Sequence, residues 1–165
     1  MLVKWKKIPL TQGKFAIVDP EDYDRLMAMG KWHTSCNGYA CRTYNYKNQH
    51  GLWSGKTIFL HSLVLDVPEK YVIDHINGVK TDNRKSNLRV CTRAENGRNR
   101  GKQENNTSGY KGVSYKVKNK KFSSQIKVYN KQIYIGLFDT PIEAARAYNE
   151  AALKYHGEFA KLNEL

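Results

Sequence analysis

The sequence predicts an α+β chain built from two modules, and three observations predict it. The chain has 165 residues, 40% of them hydrophobic and 12% aromatic, enough to bury one ordinary core or two small ones. Its last third alternates with period two and then changes to helical spacing behind a capping signal. Between that third and the rest lies GKQENNTSG, residues 101–109, of turn and linker composition. The expected modules are therefore 1–100 and 110–165, joined by a basic linker over 101–109. Nine linker residues reach ~30 Å when extended.

The first sixty residues read as short strands near 2–8, 13–18, 38–46 and 56–60. Between the second and third, Asp19-Pro20 starts a short helix, with Asp as N-cap, Pro at the first position and acids in the first turn. Residues 61–100 read as a loop-rich stretch, DHINGVKTDNRKSNL, followed by a helix from Arg93, because Thr92-x-x-Glu95 is a capping box. Strands are expected near 110–117, 121–129 and 132–138, with turns at Lys118-Asn119-Lys120 and Asn130-Lys131. In the middle strand Phe122, Ser124, Ile126 and Val128 share one face, and Lys121, Ser123, Gln125, Lys127 and Tyr129 share the other. A helix follows, with Thr140 as N-cap, Pro141 first, Glu143 closing a second capping box and Gly157 ending it. Its stripe of Ala144, Ala145, Tyr148, Ala151, Ala152 and Tyr155 is expected to cover the Phe122/Ile126/Val128 face. The opposite face of that sheet is left open and basic.

Charge narrows the function. Lys and Arg number 28 against 15 Asp and Glu, a formal +13, which attracts polyanions. From Asn83 to Phe138 the only acids are Glu95 and Glu104. The series Arg84, Lys85, Arg89, Arg93, Arg98, Arg100 and Lys102 forms a belt expected to track a nucleic-acid backbone. Cys36, Cys41 and Cys91 include no Cys-x-x-Cys pair and read as free thiols rather than a zinc site. The N-terminus has no signal-peptide core, and no run approaches the ~18 apolar residues of a membrane span, so a soluble, intracellular (cytoplasmic) protein is expected.

Asp74-His75-Ile-Asn-Gly carries the chemical hint. Phosphodiester hydrolysis needs an activated water and relief of charge on the phosphate and the leaving oxygen. Asp74 offers an anionic oxygen, His75 an imidazole base, and Asn96 in the capped helix an amide oxygen. An all-oxygen pair of ligands favours one divalent Mg²⁺ or Mn²⁺ over zinc.

Asp74-His75, Asn87 in Ser-Asn-Leu-Arg and Asn96 in Ala-Glu-Asn resemble the HNH nuclease motif with its ββα-metal finger. The stretch DHINGxKxDNRxSNLR and the preceding His61-Ser-Leu-Val are similar to the bacteriophage homing endonucleases of that group. The resemblance implies His75 as general base, Asp74 and Asn96 as metal ligands, and Asn87 as the middle motif residue that braces the loop. His61 reads as a structural or supporting residue, with a fourth site residue or a DNA contact as the alternatives. Asn96 stands where many HNH enzymes have His, a variant the phage group shares.

Residues 108–162 resemble the APETALA2-type DNA-binding domain. The matches are Gly109-Tyr110-Lys111-Gly112-Val113, Tyr134-Ile135-Gly136-Leu137-Phe138-Asp139-Thr140, Glu143-Ala144-Ala145-x-Ala147-Tyr148 and His156-Gly157. The resemblance implies a three-stranded sheet laid in the major groove, contacting DNA through Lys111, Ser114, Lys116, Lys127 and Tyr134, beside Lys121, Ser123 and Gln125. Plant members commonly carry Arg at the positions of Lys111, Ser114 and Lys127, so preference for a GC-rich target does not carry over. The sequence thus reads as a monomeric nicking endonuclease on duplex DNA, of phage or mobile-element origin, with Arg42, Tyr44 or Lys47 of the N-terminal strands as further contacts. The rivals are a non-catalytic transcription regulator, which would tolerate a broken motif, and an RNA-binding protein, supported by net charge alone.

Overall fold

The computed structural model describes residues 4–165, so the first two residues of the strand expected over 2–8 lie outside the described part. The chain divides into two compact units between Arg93 and Ala94.

The first unit opens with a hairpin of β1 (Lys6–Pro9) and β2 (Phe15–Val18), which buries Ile8, Ala16 and Val18. Helix α1 (Pro20–Ala28) follows, with Leu26 in the core and the Trp32 indole donating to its carbonyl at 3.0 Å. Asp19 occupies the N-cap position, yet makes no side-chain cap bond; its Oδ2 accepts from the Lys85 backbone N–H instead. A second sheet orders β3 (His33–Thr34), β4 (Ala40–Lys47) and β5 (Trp53–Phe59) antiparallel. Its start is buried at Ala40 and Cys41, and beyond Arg42 both β4 and β5 are mostly exposed, a two-stranded ribbon. A single-turn helix α2 (His61–Val64) follows, sending Val64 inward.

The loop-rich reading of 61–100 is corrected here. Asp74 and His75 end a strand, β6 (Val72–His75), which pairs antiparallel with β7 (Leu88–Cys91). Polar side chains and an Asn-Gly pair concealed both strands: the hairpin buries Asp74 and His75 alongside Leu88 and Cys91. The intervening loop is tied to β2: Ile17 N–H donates to Thr81 O and Asn83 N–H donates to Ile17 O. Residues 85–87 form a 3-10 turn before β7.

The second unit contains nearly all of α3 (Arg93–Arg98), then β8 (Val113–Lys116), β9 (Lys121–Val128), β10 (Lys131–Phe138) and α4 (Pro141–His156). The three strands form an antiparallel sheet with β9 central. β8 starts three residues later than expected, because Gly109 and Gly112 have positive φ and turn the chain before it. The β9–β10 turn uses Tyr129 and Asn130, both left-handed, so Tyr129 leaves the sheet face. The Thr140/Glu143 capping box forms in full. Ile126, Val128, Tyr148 and Ala152 make one core, and Val113, Ala144 and Ala145 another beside it. Tyr155, expected in the helix stripe, is exposed; His156 is buried there and its ring meets the Lys127 carbonyl at 3.0 Å.

Candidate active site and nucleic-acid interface

In the first unit the site grows from the end of β6. His75 pairs across the hairpin with Leu88, and Asp74 with Arg89. That register lets the Arg89 fork close on the neighbouring carboxylate, Nε and Nη2 donating to Asp74 Oδ2 at 2.9 and 2.7 Å. Both Asp74 and His75 are buried. The His75 ring faces Asn83, with Nε2 and Asn83 Oδ1 3.1 Å apart. An amide oxygen only accepts, so Nε2 carries the proton that meets it.

Asn83 is itself fully buried, and its Nδ2 has no partner among the described residues. Asn87 braces the same loop: its Oδ1 accepts from Asn77 N–H at 3.0 Å and its Nδ2 donates to Asp82 O at 2.8 Å. Buried Asp82 is held by Arg84 at 2.8 and 2.6 Å and by Asn77 Nδ2 at 3.0 Å. The Arg84 guanidinium also keeps the Asp82 carboxyl below the ordinary range.

An aromatic wall closes the other side of His75. The His61 ring stands edge-on to it with centroids 5.3 Å apart, Tyr39 lies at 5.8 Å, and Phe59 stacks on His61 at 5.5 Å. Lys80 lies over the Tyr39 ring at 4.9 Å. Burial pulls the His75 pKa below its ordinary value, against the opposing effects of Asn83, Asp74 and Asp82. Burial, and then the His75 neighbour, pull His61 down to about 4. Both rings are thus neutral near pH 7. Sequence reasoning found His75, Asp74, Asn87 and His61 but missed Asn83, Tyr39 and Phe59. Asn83 stood inside the quoted Asp-Asn-Arg run; Tyr39 and Phe59 gave no local signal.

Several belt residues are engaged within the first unit. Arg84 serves Asp82 and Arg89 serves Asp74, while Lys85 pairs with Glu21 and, at 3.3 Å, with Asp22. Arg93 ends that unit, while Asn96, Arg98 and Arg100 lie in the second. Asn96 sits half-buried in the middle of α3. The ribbon of β4 and β5 carries Arg42, Tyr44 and Tyr46 on one face with Lys56, and Lys47 with Trp53 on the other. No Asp or Glu occurs between Asp24 and Asp66.

In the second unit the face of the sheet away from α4 carries Ser114, Lys116, Lys121, Ser123, Gln125, Lys127 and Tyr134. Tyr134 is 60% exposed and Lys127 is exposed, so both stand above the sheet. Ser123, between Ser114 and Leu137, is almost fully buried by them, and the Ser114 hydroxyl is buried as well. Lys121 pairs with Asp139 at 3.1 Å. Lys111 is off this face: its ammonium donates to the Arg98 carbonyl at 2.5 Å.

A buried, oriented imidazole thus stands beside an arginine-held carboxylate on one hairpin, and the same chain carries a basic three-stranded sheet. The HNH endonuclease family pattern matches residues 66–98, and the AP2 domain pattern matches residues 108–158. An uncharacterised HNH endonuclease of Acanthamoeba polyphaga mimivirus is 27% identical over 156 residues, covering 93% of this chain and 77% of the viral protein. Protein 3.8 of Escherichia phage T7 is 30% identical over 95 residues, 58% of this chain and 78% of that protein. The APETALA2-like protein 2 of Oryza sativa subsp. indica is 42% identical over 57 residues, 34% of this chain but 13% of the plant protein's length. The chain thus carries an HNH endonuclease segment, and an AP2 domain follows it. No helix of the described residues is long and apolar enough to cross a membrane.

Proposed function

We propose that the protein is a site-specific, metal-dependent endonuclease that nicks duplex DNA, with His75 as general base. The observation that carries this reading is the orientation of His75. Asn83 Oδ1 accepts from Nε2, which fixes the tautomer and the orientation of the ring, and burial keeps the ring neutral. Asn87 holds the loop that carries Asn83, so its role is positional.

Asp74 and Asn96 are proposed as the metal ligands. Their donors are a carboxylate and an amide oxygen, hard atoms that suit Mg²⁺ or Mn²⁺, and the Arg89 fork orients the Asp74 carboxylate. Among the described residues no group of three or more His, Cys, Asp or Glu could hold an ion. Such an ion would therefore take its remaining ligands from water and the DNA phosphate, the usual manner of Mg²⁺. When bound, it would supply charge neutralisation at the phosphate.

The AP2 sheet is proposed to bind the major groove through Gln125, Lys127, Lys116 and Tyr134, with the β4–β5 ribbon adding contacts from Arg42, Tyr44 and Lys47. A single catalytic histidine in a monomer makes nicking the expected outcome, and homing is the biological role proposed by analogy with the phage HNH group.

Cleavage of supercoiled plasmid carrying a bound site, with Mg²⁺, Mn²⁺ or EDTA, tests this. Metal-dependent open circle, lost in His75→Ala while duplex binding persists, is expected. Binding without cutting by the unaltered protein in either metal would refute the nuclease reading and favour a DNA-binding regulator.

A further inference from the structure

We infer that Lys111, in the AP2 domain, is a positioning residue for the helix that carries Asn96, rather than a DNA contact. The inference rests on the proposed metal role of Asn96. Every contact it uses lies inside the second unit.

Helix α3 has only six residues, too short to be stable by itself. A helix end also leaves carbonyls without intrahelical donors. At this end the orphan carbonyl of Arg98, the last residue of α3, receives the Lys111 ammonium at 2.5 Å. A cation at a helix C-terminus also opposes the negative end of its dipole. The side chain of the same Arg98 is held separately, its guanidinium 5.9 Å from the Tyr129 ring centroid in the β9–β10 turn. One residue, two positions beyond Asn96, is therefore gripped through both backbone and side chain.

The gripping residue is itself fixed. Lys111 N–H donates to Asn163 Oδ1 at 2.7 Å, and Asn163 Nδ2 donates back to Lys111 O at 3.1 Å. Asn163 is locked to Asn149 of α4 by reciprocal bonds of 2.8 and 2.9 Å. The next residue, Gly112, has φ +76, and a Cβ there would come within 2.2 Å of Tyr148 on α4. The Lys111 backbone is thus set by α4, the helix that also supports the DNA-facing sheet. A continuous path runs from α4 through Asn163 and Lys111 to the last turn of α3. The Lys111 ammonium is half-buried, and burial followed by the nearby Lys161 pulls its pKa down to about 8, an environment unlike that of a solvated phosphate grip.

The test uses the full chain carrying Lys111→Met, which keeps most of the stem and removes the donor, and Tyr129→Ala, at a position 86% exposed and outside the core. Three quantities are read: hydrogen exchange of segment 93–100 without metal, Mn²⁺ binding by calorimetry, and duplex affinity in EDTA. Lys111→Met is expected to speed exchange in 93–100 and weaken Mn²⁺ binding about tenfold, the low end for loss of an outer-shell support. Duplex affinity should stay within about twofold. Tyr129→Ala should shift exchange in the same direction by less, and Lys111→Arg should restore protection. Unchanged exchange in Lys111→Met, or a fall in duplex affinity with Mn²⁺ binding intact, overturns the inference. An Asn96→Ala control that leaves Mn²⁺ binding unchanged would defeat the metal assignment instead, and exchange alone would then judge the docking contact.

Discussion

His61 makes the first unit acid-labile, and replacing it with Phe should remove a defined part of that lability. The ring opens α2, stacks on Phe59, meets His75 and Tyr39 edge-on, and keeps Nδ1 buried without a partner among the described residues. Its pKa in the folded state is about 4, whereas an unfolded chain has about 6.5. The unfolded state therefore binds a proton first. The neutral ring's contribution is fully present above ~6.5 and is lost as pH falls toward about 4. From 6.5 down to 5 is about 1.5 pH units, so the loss near pH 5 is about 2 kcal/mol relative to neutral pH. Phe keeps the stacking and adds bulk, at a packing cost of roughly 1 kcal/mol. That cost does not depend on pH and cancels when one variant is compared at two pH values. The assay is urea unfolding near pH 7 and near pH 5, followed by Trp fluorescence. Trp5, Trp32 and Trp53 all lie in the first unit, so the signal reports that unit alone. His61→Phe should lose about 2 kcal/mol less than the unaltered protein between the two conditions. Equal losses would refute the assignment of the lability to His61.

Arg84→Ala should destabilise the first unit by about 3 kcal/mol in the same fluorescence assay near neutral pH, because it strips the bidentate partner from buried Asp82. A change under about 0.5 kcal/mol would mean that Arg84 is a surface cation after all. Gly112→Ala should cost the second unit at least about 3 kcal/mol, since the methyl meets Tyr148 at 2.2 Å and the Gln125 carbonyl at 2.7 Å in a left-handed backbone. Far-UV circular dichroism should show loss of α4 while the tryptophan signal of the first unit remains; a native spectrum and unchanged melting would contradict the close approach.

The second unit was largely legible because its residues obey local rules. Alternation in β9 and the Thr140-Pro141-Glu143 signal act within a few residues, and the structure has both. What failed there depended on neighbours. Ser123 is on the expected face, but Ser114 and Leu137 flank it and cover it. Tyr129 follows β9 in register but takes a left-handed turn. The first unit was legible in its motif and not in its geometry. Nothing local distinguishes Asn83 from a turn asparagine, although the fold buries it completely against His75 and β2. Tyr39 and Phe59 meet His61 only because β4 and β5 pair and α2 follows them.

The basic belt shows most clearly how composition and contact separate. A surplus of +13 is a property of the whole chain and acts at long range, so it speaks for a polyanionic partner without locating it. At short range each cation must be placed. Arg84, Lys85 and Arg89 close on Asp82, on Glu21 and Asp22, and on Asp74, and these contacts build the loop and hairpin around His75. Lys111 closes on a helix end. Lys116 and Lys127, by contrast, form no ion pair among the described residues and rise from the open face of the AP2 sheet. Ion-paired cations already meet their counter-charge and would have to surrender it to reach a phosphate, whereas exposed, unpaired ones pay only for side-chain ordering. The salt dependence of duplex binding should therefore follow the sheet lysines more closely than the belt. The same residues that inflate the net charge in the first unit are better understood as the frame of His75, the proposed general base.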